Sequence, residues 1–354
     1  MPTLFDPVRL GALELRNRIV MAPLTRASAT ADRIPTDVMR EYYEQRASAG
    51  LILTEATIVT PKGAGYAATP GIYSDAQVEA WKPITEAVHR KGGKIVMQLW
   101  HVGRIYDPSL LDGDLPVAPS ALQPAGHVSL LRPMRPYPTP RALDIDELPG
   151  IIEAYRKGAE NAREAGFDGV EIHGANGYLL DQFLQDGTNK RTDAYGVPVE
   201  NRARLMLEAV DAAISVWGAS RVGLHLAPRG DSHDMSDSDP KATFGYVARE
   251  AGKRGLAFIF TREHLGDDRL TPHLKEQFGG AFIANEGFTF DQATTEVAAG
   301  RADAVAWGKE FIANPDLVER FRVGAARNPL VPETIYAEGA RGYTDYPALE
   351  TVSA

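Results

Sequence analysis

Eight short apolar runs, separated by amphipathic stretches, constrain this chain more than any other feature. They are Arg18–Ala22, Leu51–Ala56, Lys94–Leu99, Gly169–His173, Arg221–Leu226, Leu256–Phe260, Ala281–Ala284 and Ala304–Trp307. Each is close to continuous instead of alternating, as expected of parallel strands covered on both faces. The stretches between them carry helix signals. Asp75–Lys91 has Ser74 as an N-cap and Gly92 just past its end, and Ile145–Ala165 follows Asp144 and stops at Gly166. Pro198–Val216 ends before Gly218, and Asp291–Ala299 stops at Gly300. Eight strands alternating with helices predict a (β/α)8 TIM barrel, with residues 1–354 forming a single domain.

The rival architecture is a doubly wound open sheet, which would favour a Gly-x-Gly-x-x-Gly turn after its first strand. Here the first strand runs into Pro23-Leu24-Thr25-Arg26, and no glycine follows until Gly50. Two irregular segments interrupt the pattern. Pro108–Pro140 holds eight prolines and follows the third strand, where it reads as an excursion capping one barrel end. The aspartate-rich Arg229–Pro240 follows the fifth strand.

Composition narrows the chemistry. The chain has no cysteine, which excludes disulfides, thiolate nucleophiles and cysteine-ligated clusters. A formal net charge of −9 argues against a nucleic-acid partner. No apolar run approaches the roughly 18 residues of a membrane span, and the N-terminus lacks the pattern of a signal peptide. A cytoplasmic enzyme with no membrane partner is the expectation.

Barrel enzymes carry their working residues at the carboxyl ends of the strands. The first four ends present Pro23, Leu24 and Thr25; Glu55 and Ala56; Gln98, Trp100 and His101; and His173, Asn176 and Tyr178. The last four present His225, Thr261 with Arg262, Asn285, and Gly308 with Lys309. Glu55 stands alone, which disfavours a paired-carboxylate glycosidase. His101 and His173 come from different strands without clustered acids, so no metal is expected. The segment from Gly169 to Tyr178 is the most telling. His173 and Asn176 can donate hydrogen bonds to an oxygen as charge develops on it, and Tyr178 offers a phenolic proton. Asn285-Glu286-Gly287 and Gly308-Lys309 sit where barrels bind phosphate, after the seventh and eighth strands.

Taken together, these residues resemble the Old Yellow Enzyme family of FMN-dependent reductases. The likeness runs from Leu4-Phe5 to Tyr346-Pro347, and the spelling is most like the bacterial N-ethylmaleimide and pentaerythritol tetranitrate reductases. Its landmarks are Asn17–Thr25, Thr54–Thr57, Gln98–Arg104, Glu171–Leu180, Asn189–Gly196, Phe311–Leu317 and Gly342–Pro347. The resemblance implies an ene-reductase that takes hydride from NADPH, or NADH, and passes it to a small activated alkene. It places Pro23, Leu24, Ala56 and Gln98 along the flavin, Thr25 at the flavin carbonyl beside N5, and Lys309 at a phosphate position. Tyr66 and Trp100 become substrate-pocket aromatics, His173 and Asn176 the oxygen-holding pair, and Tyr178 the proton donor. Two reactants binding in turn at one site imply ping-pong kinetics, by a monomer or a homodimer.

The chain departs from the family pattern at two cofactor positions. His225 and Lys309 stand where relatives carry arginines, so a looser grip on FMN is expected, with Arg262 or Arg229 as the compensating cation. The segment Thr261–His264 also differs from the aromatic-rich loop of relatives. Two other readings stay open. One is a phosphate-binding barrel lyase or aldolase, although no strand candidate after Lys94 carries an interior lysine. The other is a barrel that binds FMN poorly.

Overall fold

The computed structural model describes residues 1–106, 108–110, 113–128 and 133–349. The barrel strands are β1 (Ile19–Met21), β2 (Leu51–Leu53), β3 (Ile95–Trp100), β4 (Gly169–His173), β5 (Val222–Leu226), β6 (Phe258–Arg262), β7 (Phe282–Asn285) and β8 (Ala304–Trp307). Each pairs in parallel with the next, and β8 pairs with β1 through Val305 and Ile19, so the sheet closes on itself. The expected (β/α)8 barrel is therefore the observed fold.

Eight principal helices wrap it: α1 (Asp37–Gln45), α2 (Asp75–Arg90), α3 (Leu148–Glu164), α4 (Arg204–Trp217), α5 (Pro240–Arg254), α6 (Thr271–Phe278), α7 (Phe290–Ala298) and α8 (Leu317–Val323). Helix α2 starts at Ser74 in a full capping box with Gln77, which satisfies two orphan amides at once. No helix among the described residues is long and apolar enough to cross a membrane.

Strand residues alternate between the helix layer and the barrel interior, with a period of two. In β3, Ile95, Met97 and Leu99 pack against the helices, while Val96 packs inside. The interior is filled by Val20, Leu51, Leu53, Val96, Phe258, Phe260, Ile283 and Ala304. Gly223 makes room there, because a Cβ on it would lie 2.3 Å from the Phe258 ring. An N-terminal hairpin, Val8–Leu10 with Leu13–Leu15, adds Leu10, Leu13 and Leu15 to the same interior cluster and plugs the amino-terminal end.

The excursion after β3 is a cap, as expected. Its described residues include a two-residue pairing of Val117–Ala118 with Arg141–Ala142 and a bridge from His127 to Pro136. Val128 and Tyr137 pack with Tyr66 and Trp100 at the carboxyl end of the barrel. The described chain after α8, residues 324–349, returns to the same end. Arg26, after β1, donates from Nε to the Ile335 carbonyl at 3.0 Å and from Nη2 to that of Gly342 at 2.6 Å. Tyr343 stacks on Tyr42 with ring centroids 4.2 Å apart.

Arg46 ties α1 to the short helix Lys309–Ala313, which begins at the end of β8. It is fully buried and donates to the carbonyls of Phe311 (2.7 Å), Ile312 (2.8 Å) and Tyr42 (2.9 Å). Arg46→Met keeps much of the volume but removes these donors. It is expected to lower the unfolding free energy by about 2–4 kcal/mol. A denaturant midpoint equal to that of the parent would show that the carbonyls find other donors.

Candidate active site

The carboxyl ends of the strands open into a cavity of about 830 Å³. The same alternation that fills the barrel with Val96, Phe258 and Ile283 places Gln98, Glu171, His173, His225, Phe260, Arg262 and Asn285 one or two steps higher on the inner face. Register fixes their neighbours: Gln98 lies opposite Glu171, and His225 is flanked by His173 and Phe260.

Of the candidates named at the strand ends, all but Glu55, His101 and Thr261 line this one cavity. Pro23, Leu24, Thr25, Ala56 and Gln98 come from the first three strand ends, with Tyr66 and Trp100 beside them. His173, Asn176 and Tyr178 follow from β4, then His225, Asn285, Gly287, Gly308 and Lys309. Glu55 and His101 do not belong. Glu55 accepts from the Arg26 and Ala27 amides and from the Tyr43 hydroxyl, so it braces the β1 loop. His101 accepts the Gly103 amide at 3.1 Å and is buried in its own turn.

The polar floor has a determinate hydrogen-bond order. The Gln98 amide nitrogen donates both to Glu171 Oε2 (2.6 Å) and to His225 Nδ1 (3.0 Å). His225 Nδ1 is therefore an acceptor, which puts its proton on Nε2. That Nε2–H is buried without a partner in a residue lining the cavity. Burial, together with His173 and Arg262, pushes the His225 pKa well below the ordinary imidazole value. Its 3.9 Å approach to Glu171 is thus a contact of a neutral ring with a carboxyl, not an ion pair. His173 stacks on His225 at 5.0 Å and is held down to about 3, by burial first and then by Arg262 and His233.

Tyr178 is boxed in by aromatic rings. Trp100 meets it edge-on at 4.9 Å, His173 at 5.3 Å, and the Tyr66 hydroxyl lies 3.3 Å from its own. Burial raises the phenol pKa, so the proton stays on oxygen at neutral pH. The turn that presents it is unusual: Asn176 has φ +58 and Gly177 φ +75. Gly177 is required, since a Cβ would come within 2.6 Å of the Ser232 carbonyl oxygen.

Several lining residues carry no local sequence signal for a site. His233, Arg327 and Tyr336 arrive from loops far along the chain. Of the two arginines expected to compensate, Arg262 lines the cavity; Arg229 does not, being engaged by Glu263 and Asp268.

The residues suit FMN. Ala22, Pro23, Leu24, Ala56, Phe260 and Ala306 offer apolar wall for a flat ring system, and His225 Nε2 is a donor awaiting an acceptor. At the opposite rim Gly287 (φ +80), Gly308, Lys309 and Arg327 combine accessible backbone with two cations, as a phosphate requires.

Glu171 gives this floor a pH signature. Burial raises its pKa from 4.5 to about 8. A folded-state pKa raised above the unfolded value means that stability is fully present below pH 4.5 and is lost as pH rises through 8. Glu171→Gln mimics the protonated form and should flatten that decline in thermal midpoints measured from pH 5 to 8. A variant whose midpoints fall as steeply as those of the parent would mean that Glu171 is not the source.

Comparison with known proteins agrees with this geometry. Residues 3–328 match the profile of the NADH:flavin oxidoreductase / NADH oxidase family. The chain is 43% identical to a rice 12-oxophytodienoate reductase 1, over 99% of this chain and 94% of the relative. It is 41% identical to a probable flavin mononucleotide-dependent alkene reductase from Leishmania infantum, over 97% of each. Among solved structures, the old yellow enzyme homologue of Zymomonas mobilis superposes with a TM-score of 0.96 at 46% identity, covering 98% of this chain and 100% of that one. Morphinone reductase in complex with tetrahydroNAD superposes with a TM-score of 0.96 at 47% identity, covering 100% and 99%. Family profile, full-length likeness and barrel geometry agree: this chain belongs to the NADH:flavin oxidoreductase / NADH oxidase family, and within it to the Old Yellow Enzymes.

Proposed function

We propose that this protein is an FMN-dependent ene-reductase that uses NADPH or NADH to reduce activated C=C bonds, such as those of α,β-unsaturated carbonyls, nitro compounds or maleimides. The observation that carries the reading is the convergence of His173, Asn176 and Tyr178 on one wall of a cavity whose other surfaces suit a flavin. The relatives' names, alkene reductase and 12-oxophytodienoate reductase, support the same substrate class. Family membership also leaves the lyase reading without support.

Pro23, Leu24, Ala56 and Gln98 would lie along the flavin ring system, with Thr25 at its edge and His225 donating from Nε2. Asn285, Gly287, Gly308 and Lys309, joined by Arg327, would hold the ribityl phosphate. FMN bound there supplies the hydride chemistry that links the nicotinamide to the alkene.

The chain's own groups do the rest. His173 and Asn176 donate to the acceptor oxygen of the substrate and favour the charge that builds on it. His173 does so as a neutral ring, because burial keeps it deprotonated at one nitrogen. Tyr178 holds the proton destined for the substrate α-carbon. Tyr66 and Trp100 wall the pocket and shield that proton from water.

Purified protein should be yellow, with flavin absorbance. Colourless protein that takes up no added FMN would refute the assignment. In stopped-flow measurements on FMN-loaded protein, Tyr178→Phe should slow reduction of a weakly activated enone by roughly 10²-fold. Flavin reduction by the nicotinamide should stay near the parent rate; its collapse would show that Tyr178 has another role.

A further inference from the structure

The oxygen-holding pair of the proposed reaction contains one group with an inbuilt ambiguity. A histidine at low pKa and a tyrosine at high pKa have fixed proton inventories near neutral pH. Asn176 does not: its amide carries a donor end and an acceptor end of nearly equal size, and a half-turn about χ2 exchanges them. A wall meant to grip a carbonyl or nitro oxygen must stop that exchange.

The structure supplies the stop. Arg262, at the inner face of the β6 end, donates from Nη1 to Asn176 Oδ1 at 3.1 Å. A guanidinium has only donors, at every accessible pH, so the amide nitrogen cannot take that position without setting N–H against N–H. The backbone of Asn176 is held as well. His233 Nδ1 lies 2.7 Å from the Asn176 carbonyl oxygen, and the residue sits at φ +58, a conformation that leaves few alternative placements for the side chain. Arg262 is itself held by Glu286, 3.1 Å from Nη2. That pair is partly exposed and contributes little stability of its own, so its effect is to aim the guanidinium.

We infer that Arg262 is a positioning residue that locks the Asn176 amide with its N–H groups toward the cavity, restricting the oxygen-binding wall to ligands that present hydrogen-bond acceptors. The same cation is among the causes that lower His173, His225 and His233, so one arginine also helps keep the neighbouring imidazoles neutral. This inference rests on the proposed function, because it concerns substrate selection at that site.

The test uses FMN-loaded protein and two probes of like shape, cyclohex-2-enone and cyclohex-2-enol, titrated against the flavin absorbance of the oxidised form. The ketone can only accept hydrogen bonds; the alcohol can also donate. In Arg262→Met, enone binding is expected to weaken roughly tenfold, the scale of one lost hydrogen bond. Enol binding should weaken less, because the freed amide can turn its oxygen to the hydroxyl. Arg262→Lys, which restores a cationic donor, should recover most of the enone-to-enol preference. Equal weakening of both probes would mean that Arg262 merely supports the loop, and unchanged binding would mean that Asn176 orients itself; either overturns the inference. Parent protein that loads FMN but binds neither probe would instead defeat the substrate reading, and the inference with it.

Discussion

The ladder between β8 and β1 joins Val305 to Ile19 across most of the chain, and this closure is what the site depends on. An open sheet would leave the ends of its first and last strands far apart. A closed one brings Pro23 and Leu24, at the first end, against Gly308 and Lys309, at the last. The approach is close enough that a Cβ on Gly308 would lie 2.9 Å from Leu24 Cδ1. Closure also turns the period of two into a chemical partition. Alternate residues must face inward, the lower ones fill the interior with aliphatic and aromatic groups, and the upper ones face a space the interior cannot fill.

Much of this was legible in the sequence because buried parallel strands have a composition of their own. Gly169–His173 and Ala304–Trp307 appear with the bounds expected. The differences have local causes. Leu256 was expected to begin a strand that instead starts at Phe258, because Leu256 packs with the helices and the Ala257 amide is taken by the carbonyls of Ala219 and Val222. The ladder continues instead through Thr261 and Arg262, which pair with Ala284 and Asn285 although apolarity would have ended the strand before them. The expected run Leu51–Ala56 stops at Leu53, since Glu55 is drawn to the amides of the β1 loop.

The site divides the same way. Residues at strand ends were readable, because fold and position together say where they point. His233, Arg327 and Tyr336 were not, because a loop residue reaches a cavity only through packing between distant segments. Arg229 and Arg262 show the limit most clearly. Both are arginines near neighbouring strand ends, and only the location of Glu263 and Asp268 decides which is drawn away. Where the family pattern led us to expect two arginines around the cofactor, the cavity holds His225, Lys309, Arg262 and Arg327. Positive charge is thus redistributed among strand ends and a later loop, while the β5 position becomes a neutral donor fixed by Gln98.

The rim built by the C-terminal segment has a consequence in time as well as space. Arg26 takes its partners at Ile335 and Gly342, about three hundred residues downstream, and Tyr336 reaches the cavity from the same stretch. On a ribosome, the early strands emerge long before these partners exist. The pocket wall therefore stays incomplete until residues 335–342 have left the exit tunnel, so the early strands alone cannot present the finished cavity.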